Sequence, residues 1–561
     1  MFGSVRLVMT WLHTWFGLVL GFVLMVVFFF GSLSVFDREI DRWALPETRF
    51  EPQTMPSFDA MLAPIFQRIT PEEEELDAAR KRLGGDLPKA FPPTSWIAYT
   101  THRDPVLSLY AEFALENPND PHDHVHGHVT IDPRSGAELP HDQLKIGSDF
   151  FYPMHYGLHL HWLDLGYWIV GVAALVMLVA LVSGVWIHKK LFRELFTFRP
   201  QKGAQRRTLD LHNLTGVLAL PFHFMFPLTG LVIFAGIYFP VSETQLRPLA
   251  ERHAQIEAAQ KGLAFAPSGV AAPLASVDAM VQEAKRRWAA QGLPGEVGFL
   301  SVNHVGDENA YVSVYRAGSD RVTLVGQGVH FDAMGAVIHE EPPPSVVLGI
   351  NEFLTGLHLQ HFEHWLLRWL YVLGGLSGCV CIGTGLVFFV GKRRHKHALQ
   401  GVSGARWADA LAVATVTGMV VATLALLVAN RALPVDLGER GAWEERVFWS
   451  AWLCALLHAA LRSAPVHEAK LSPAWREQSW AIVVLSLAAV GLNWLTTGDH
   501  LVKTISSAYW PVAGLDLALF ASAAIAFKAA SRLGRLEASR ESESRDEGDV
   551  EPTGEAEAAH G

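Results

Sequence analysis

Two short stretches, Leu12-His13-Thr14-Trp15-Phe16-Gly17 and Leu211-His212-Asn213-Leu214-Thr215-Gly216, each open a long apolar run of this sequence. A glycine follows each histidine by 18 residues, Gly31 in the first case and Gly230 in the second. A membrane-spanning helix needs roughly 20 apolar residues, so both stretches are predicted to begin such a helix. A histidine inside a membrane helix is costly unless it is paired or ligated, so its duplication points to a function.

The composition agrees with a membrane protein. Of the 561 residues, 50% are hydrophobic and 18% are charged, whereas a soluble domain is about 25% charged. These figures exclude a disordered chain, a collagen and an ordinary cytosolic enzyme. Cys379, Cys381 and Cys454 all lie in apolar runs, which excludes a disulfide scaffold and a cysteine-ligated metal site outside the membrane.

The hydropathy pattern predicts a polytopic α-helical membrane protein with about eight transmembrane helices and two α+β modules in its long loops. The predicted segments are a first span in 1–36, a module in 37–165, a span at 166–188, a cytoplasmic basic loop at 189–208, a span at 209–238, a module in 239–357, a span in 358–391, an appended four-helix bundle at 408–531 and a disordered cytoplasmic tail at 532–561. Within the appended bundle, the predicted spans are about 408–430, 446–462, 479–497 and 510–531.

Charge in the short loops predicts the orientation. The loop 188–207 contains seven Lys or Arg residues against the single acid Glu194, and a second basic run begins at Lys392. Short loops rich in Lys and Arg face the cytoplasm. Eight spans then place both termini in the cytoplasm and both α+β modules on the opposite side.

The sequence contains an internal repeat. Gly157-Leu158-His159-Leu160 stands before the second span, and Gly356-Leu357-His358-Leu359 stands before the fourth. Trp168 precedes Gly184 by 16 residues, as Trp369 precedes Gly385. The unit of span, loop module and span therefore occurs twice in the same orientation, which predicts a pseudo-twofold axis along the membrane normal.

Each loop is predicted to contain a helix, short strands and a tight turn. The second loop has a helical stretch at Val277–Ala290, and both loops contain short runs of alternating polarity. The segments Ile131–Ala137 and Phe331–Ala336 place Asp and Gly at offsets typical of tight hairpin turns.

Pairs of repeated histidines suggest a metal cofactor. A pseudo-twofold axis would bring His13 opposite His212, and His159 opposite His358. Two imidazoles on opposite sides of a planar ligand are the arrangement that a six-coordinate b-type haem requires. We therefore predict two haem b groups, one near each membrane face, with these four histidines as iron ligands. At the outer site His155, His161, His361 and His364 lie close in sequence and remain alternative ligands.

Other histidines are less clearly assigned. His223 follows His212 by 11 residues, so both face the same way on one helix; Leu24 occupies the equivalent position in the first repeat, which favours a packing role over ligation. His122, His124, His126 and His128 alternate along a possible strand. Either a metal site or a solvated rim beside Asp123 fits this run, and the rim is preferred because no fixed ligand geometry is visible.

These motifs resemble the PepSY-associated transmembrane family, which includes iron-regulated inner-membrane proteins and siderophore-iron reductases. The resemblance covers roughly residues 1–395, through Trp11–Gly17, Asp210-Leu211-His212 and Leu357-His358 followed by Arg368. It implies bis-histidine haem b, electron transfer across a bacterial inner membrane, and a periplasmic ferric siderophore or other iron chelate as substrate. No dinucleotide fingerprint, P-loop or flavin-sized cytoplasmic loop is present, so the electron donor is expected to be a separate cytoplasmic protein or a quinone. No nucleic-acid partner is expected.

Two other functions compete with this hypothesis. PepSY modules resemble inhibitory segments of metalloprotease propeptides, and this resemblance implies a competing hypothesis in which the loops regulate a periplasmic protease in a non-redox binding role. The parallel repeat is also compatible with a permease, although no charged residue lies deep in the first four spans. The paired histidines favour the oxidoreductase, because a membrane anchor has no need of them.

Overall fold

The computed structural model describes residues 5–85, 91–100, 102–117, 123–139, 144–187, 203–238, 247–323, 327–400, 405–463 and 472–548. Two compact units share these residues. The first contains the described residues within Met1–Phe196 and Leu214–Cys379, and the second contains those within Thr197–Asn213 and Val380–Gly561. Most of the predicted basic loop, at 188–202, lies outside the described residues.

Helices dominate both units. Their bounds are α1 Val5–Val19, α2 Gly21–Ser34, α3 Asp37–Ala44, α4 Ala63–Phe66, α5 Glu73–Leu83, α6 Tyr152–Gly157, α7 Leu165–Ile187, α8 Ala204–Leu218, α9 Leu220–Ile233, α10 Ala235–Tyr238, α11 Arg247–Lys261, α12 Val277–Ala290, α13 Val346–Leu359, α14 Trp365–Gln400, α15 Ala405–Val413, α16 Met419–Ala432, α17 Arg440–Arg462, α18 Ala474–Thr497, α19 Leu501–Ser506 and α20 Trp510–Gly548. The predicted helix Val277–Ala290 is confirmed as α12.

Among the described residues, five helical segments are long and apolar enough to cross a membrane: Trp162–Ile187, Trp365–Arg393, Arg406–Ala432, Ala474–Thr497 and Trp510–Ser539. Two further pairs of consecutive helices are bent at a short break, α1 and α2 by 62° and α8 and α9 by 64°. If each bent pair is one span, the number of candidate spans is seven. The prediction of eight spans is therefore not confirmed. The predicted span at 446–462 lies in α17, whose first two turns carry Arg440, Glu444, Glu445 and Arg446.

The prediction of a disordered tail from residue 532 is wrong over much of its length. Helix α20 continues from Trp510 to Gly548, well beyond its apolar part. A polar sequence without apolar periodicity indicates the absence of a buried face, but it does not prevent a long helix from propagating past its last packed turn.

The two long loops build one sheet instead of the two separate modules predicted. Its strands are β1 Ser95–Tyr99, β2 Leu107–Ala114, β3 His124–Ile131, β4 Val297–Asn303, β5 Tyr311–Arg316, β6 Gly328–Asp332 and β7 Val337–Glu340. Their order in the sheet is β3-β2-β1-β4-β5-β6-β7. All six pairs of neighbouring strands are antiparallel, including β1 with β4, which come from different loops.

The loops join where β1 pairs with β4, with Ile97 opposite Ser301 and Tyr99 opposite Phe299. In separate modules both strands would expose an edge of unpaired backbone groups. Pairing them satisfies those groups and places β2 and β5 at equivalent positions on either side. Both predicted turns are present, with Gly136 and Gly335 in the left-handed conformation that an L side chain disfavours.

One hydrophobic core lies under this sheet. Alternate residues of the strands point into it, as in β2, where Leu107, Leu109, Ala111 and Phe113 are buried. The core takes residues from both loops, including the ring of Trp96 stacked on Phe66 and the buried Trp288 of α12. The sheet therefore ties the two halves of the repeat together through one continuous core.

The two halves also cap each other's helices. Asp278, near the start of α12, accepts hydrogen bonds from Ser57 Oγ and from the backbone N–H of Phe58 at 2.8 Å. Asp59 reciprocates by accepting from Ser276 Oγ and from the backbone N–H of Val277 at 3.1 Å. Phe58 begins a short π-helical segment, Phe58–Leu62, and Val277 begins α12. Both carboxylates thus accept N–H groups that the start of a helix leaves unpaired.

This exchange predicts a stability effect. Asp59→Ala and Asp278→Ala should each destabilise the fold by about 1–2 kcal/mol, because each removes a charged acceptor from a helix N-terminus. Thermal unfolding in detergent would measure the loss, with the exposed Glu308→Ala as control. A midpoint equal to that of the control in both aspartate variants would show that the exchanged caps are not stabilising.

Candidate functional site

The first unit contains a largely apolar cavity of about 420 Å³. Its walls come from α2, α6, α7, α9 and α13, together with the first turns of α14. Leu24, Phe28, Met177, Phe226 and Phe234 are among the apolar side chains that line it. Such a lining suits a mostly apolar ligand with a few polar attachment points.

Two histidines lie close together in the lining of this cavity. His155 lies on α6 and His358 on α13; their ring centres are 6.0 Å apart and their ring planes differ by 25°. A metal–imidazole bond is about 2 Å long and the ring centre lies about 1 Å behind the nitrogen, so two imidazoles on opposite sides of one metal have centres about 6 Å apart. The observed separation fits that arrangement.

Both rings are oriented by a hydrogen bond at Nδ1. His155 Nδ1 lies 2.8 Å from the backbone carbonyl of Val27, which can only accept, so this nitrogen carries the proton. His358 Nδ1 lies 2.8 Å from Thr229 Oγ1, whose own hydrogen is donated to the carbonyl of Met225. In both residues Nε2 is then the nitrogen with a lone pair, as a metal ligand requires. Burial also lowers the pKa of His155, which favours its neutral imidazole.

Glycines make room for these rings. A Cβ atom at Gly31 would lie 2.7 Å from His155 Nδ1, and one at Gly230 would lie 3.1 Å from His358 Cε1. In an α-helix the carbonyl of residue i−4 lies above residue i. A ring can therefore approach the Val27 carbonyl only because the residue one turn later, Gly31, has no side chain.

His13 and His212 are held in the same way, each within its own unit. His13 Nδ1 lies 2.9 Å from the carbonyl of Ala180, and a Cβ at Gly184 would lie 3.2 Å from its ring. His212 Nδ1 lies 2.7 Å from the carbonyl of Cys381, and a Cβ at Gly385 would lie 3.2 Å from its ring. Both glycines follow the accepting residue by four positions, as Gly31 follows Val27.

The structure places His155, and not His159, opposite His358. Helix α6 ends at Gly157, and Leu158 and His159 both have a φ of 52°. The chain therefore turns away, and the ring of His159 stacks on Phe150 with its Nε2 2.9 Å from the Phe150 carbonyl. Helix α13 instead continues through His358 to Leu359, so the matching four-residue motifs have different backbones.

The remaining candidates lie elsewhere. His361 is exposed after the end of α13. His364 Nδ1 accepts the backbone N–H of Leu367 at the start of α14. His223 is buried beside Phe28 and does not line the cavity; its Nε2 lies 3.3 Å from the Gly374 carbonyl. This placement agrees with the packing interpretation of His223.

Arg103 is a cavity residue that the sequence pattern did not reveal. It is the one charged side chain in the lining among the described residues. Its guanidinium donates to the Val35 carbonyl at 3.0 Å and forms ion pairs with Asp37 and Glu39. Arg368 binds the same carbonyl and the same Glu39. No local spacing relates these residues, because three separate segments supply them.

Comparison with known proteins gives two matches. A sequence model of the family described as the PepSY-associated TM region matches residues 10–392. An uncharacterized protein of Pseudomonas aeruginosa is 24% identical over 372 residues, which is 64% of this chain and 88% of that protein. Both matches are consistent with the described membrane helices of the first unit.

The packing of Gly31 leads to a prediction. Gly31→Ala should destabilise the protein by about 1–3 kcal/mol, because the added methyl group on α2 overlaps the His155 ring and forces α2 and α6 apart. Gly17→Ala in α1 is the matched control, since a Cβ there meets nothing within 4 Å. Thermal unfolding of the purified proteins in detergent is the measurement. Equal midpoints for the two variants would contradict the close contact between Gly31 and His155.

Proposed function

The chain belongs to the family defined by the PepSY-associated TM region, and we propose that it is a haem b oxidoreductase that reduces ferric iron chelates. The observation that carries the proposal is the pair His155 and His358, whose rings stand 6.0 Å apart in an apolar cavity. Haem b bound between these two histidines would supply one-electron transfer, which a reaction at Fe(III) requires.

The two histidines would hold the iron through Nε2. Their Nδ1 contacts with the Val27 carbonyl and Thr229 Oγ1 fix the tautomer and the ring orientation. Such outer contacts raise the basicity of a ligating imidazole and restrict its rotation. Gly31 and Gly230 allow the rings to sit this close to their helices.

The other lining residues would position the macrocycle. Leu24, Phe28, Met177 and Phe226 offer apolar contact and keep water from the iron. Arg103 would attract a carboxylate group at the edge of the cofactor, since a guanidinium matches carboxylate geometry. Its existing partners Asp37 and Glu39 hold it in place.

A second haem b is proposed at His13 and His212, and this part rests on the sequence repeat. Each of these rings has its Nδ1 held by a carbonyl and its side flanked by a glycine, as His155 does. A cytoplasmic protein or a quinone would donate the electrons. A ferric siderophore or another iron chelate on the periplasmic side would accept them.

The proposed location is the bacterial inner membrane with both termini in the cytoplasm. Seven spans would leave the termini on opposite sides, so this orientation requires α17 to cross as well. Its 23 residues are long enough for a crossing, and its buried Arg440 and Glu444 lie within 3.5 Å of each other. An ion pair of this kind reduces the cost of charge near a membrane.

A haem measurement tests the proposal. The purified wild-type protein should show the absorption spectrum of low-spin haem b, and His155→Ala or His358→Ala should remove about half of the haem by deleting one axial ligand. His159→Ala is the matched control from the same segment and should keep the full amount, since this ring packs on Phe150. Wild-type protein without haem would overturn the proposal and favour the non-redox regulatory role.

Turnover tests the substrate. Protein reduced with dithionite should be reoxidised anaerobically when a ferric siderophore is added, and a ferrous-iron indicator should develop colour at the same rate. His155→Ala should slow this reaction at least tenfold, because the outer electron-transfer site would be lost. Rapid reoxidation by quinone or oxygen, with none by any ferric chelate, would leave a haem protein but exclude the reductase activity.

A further inference from the structure

The edge strand β3 carries a second group of histidines, far in sequence from the cavity ligands. His124, His126 and His128 alternate with Val125, Gly127 and Val129, which are buried. The histidines therefore lie on the sheet face opposite the core. Glu112 of β2 lies on the same face, because it pairs directly with His126 in the antiparallel register.

Three of these side chains converge. One ligand atom from each of Glu112, His124 and His126 lies within 4.8 Å of the other two. The rings of His124 and His126 meet edge to face with centres 4.8 Å apart. Three ligands of one ion in tetrahedral geometry are separated by about 3.3 Å, so small side-chain rotations would bring these atoms to coordination distance.

A carboxylate from another element orients one of the rings. Glu75 of α5 accepts the backbone N–H of His126 at 2.6 Å and lies 3.2 Å from His126 Nδ1. A histidine whose Nδ1 donates to a carboxylate offers Nε2 to a metal, and this carboxylate–histidine pair is a frequent feature of metal centres. The strand register places Glu112 beside His126. The Glu75 carboxylate contacts the Nδ1 atom of the His126 ring.

We propose that Glu112, His124 and His126 bind one divalent transition-metal ion, with Zn²⁺ as the representative of the class. Two imidazoles and one carboxylate form a donor set that zinc accepts, with a solvent molecule completing the coordination. Magnesium and calcium prefer sets made only of oxygen atoms, so they should compete poorly. The ion would cross-link β2 to the edge strand β3. This site is separate from the proposed haem function and does not depend on it.

Zinc binding by the full-length protein in detergent tests the site. After EDTA treatment, the protein is dialysed against buffered micromolar Zn²⁺, and the metal bound per chain is counted by elemental analysis. The wild type should hold one equivalent that His126→Ala lacks, and Glu112→Gln should bind it at least tenfold more weakly. Glu75→Gln should lower the affinity by about 10- to 100-fold, as the loss of an outer-shell partner does. A 100-fold excess of Mg²⁺ should not displace the ion.

His128→Ala is the matched control. It lies on the same strand face, but its ring stacks on Tyr110 at 4.4 Å and is not one of the converging ligands. This variant should keep the full zinc equivalent. Equal zinc counts in the wild type and His126→Ala, or an equal loss in His128→Ala, would overturn the proposed site. Gel filtration checks that each variant is folded. The zinc count does not depend on haem content.

Discussion

The contact between an imidazole ring and a glycine-bearing helical turn is the constraint on which the rest of the first unit depends. A helical carbonyl is already bonded within its helix and is shielded by the side chain one turn later. Removing that side chain lets a ring from a neighbouring helix reach the carbonyl. The ring of His155 reaches the Val27 carbonyl beside Gly31 in this way. The ring of His13 reaches the Ala180 carbonyl beside Gly184 in the same way. Small residues at such contacts also let helices approach closely, which favours their association in a membrane.

Two pairs of helices that carry such histidines and glycines are bent. Helices α1 and α2 meet at 62° around Leu20, and α8 and α9 meet at 64° around Ala219. Leu20 lies seven residues after His13, as Ala219 lies seven residues after His212. The bend thus falls between the histidine and the glycine of each repeat. The histidine and the glycine of each bent pair therefore lie on opposite sides of the break.

The sheet has a complementary role outside the helical region. In its central pair, β1 comes from the first loop and β4 from the second. Asp59 of the first loop and Asp278 of the second each accept a backbone N–H of the other loop. These polar contacts and the shared core fix the two loops in one arrangement. Because α6 and α13 are continuous in chain with these loops, the sheet constrains the segments that bear His155 and His358. The cavity geometry therefore depends on long-range pairing as well as on helix packing.

Much of the first unit could be predicted from the sequence. Apolar length located most of the helices that could cross a membrane, and helical periodicity located α12. The equal spacings of His13 to Gly31 and of His212 to Gly230 indicated a sequence repeat. These features depend on local spacing, which a linear pattern records directly. The identical Gly-Leu-His-Leu motifs, however, aligned His159 with His358, whereas the structure brings His155 to that position. Only the fold decides this, because the early end of α6 at Gly157 shifts the ring by one turn. The fusion of the loops into one sheet and the convergence of Glu112 with His124 and His126 likewise required tertiary structure, since strand pairing joins residues whose separation in the chain carries no local signal.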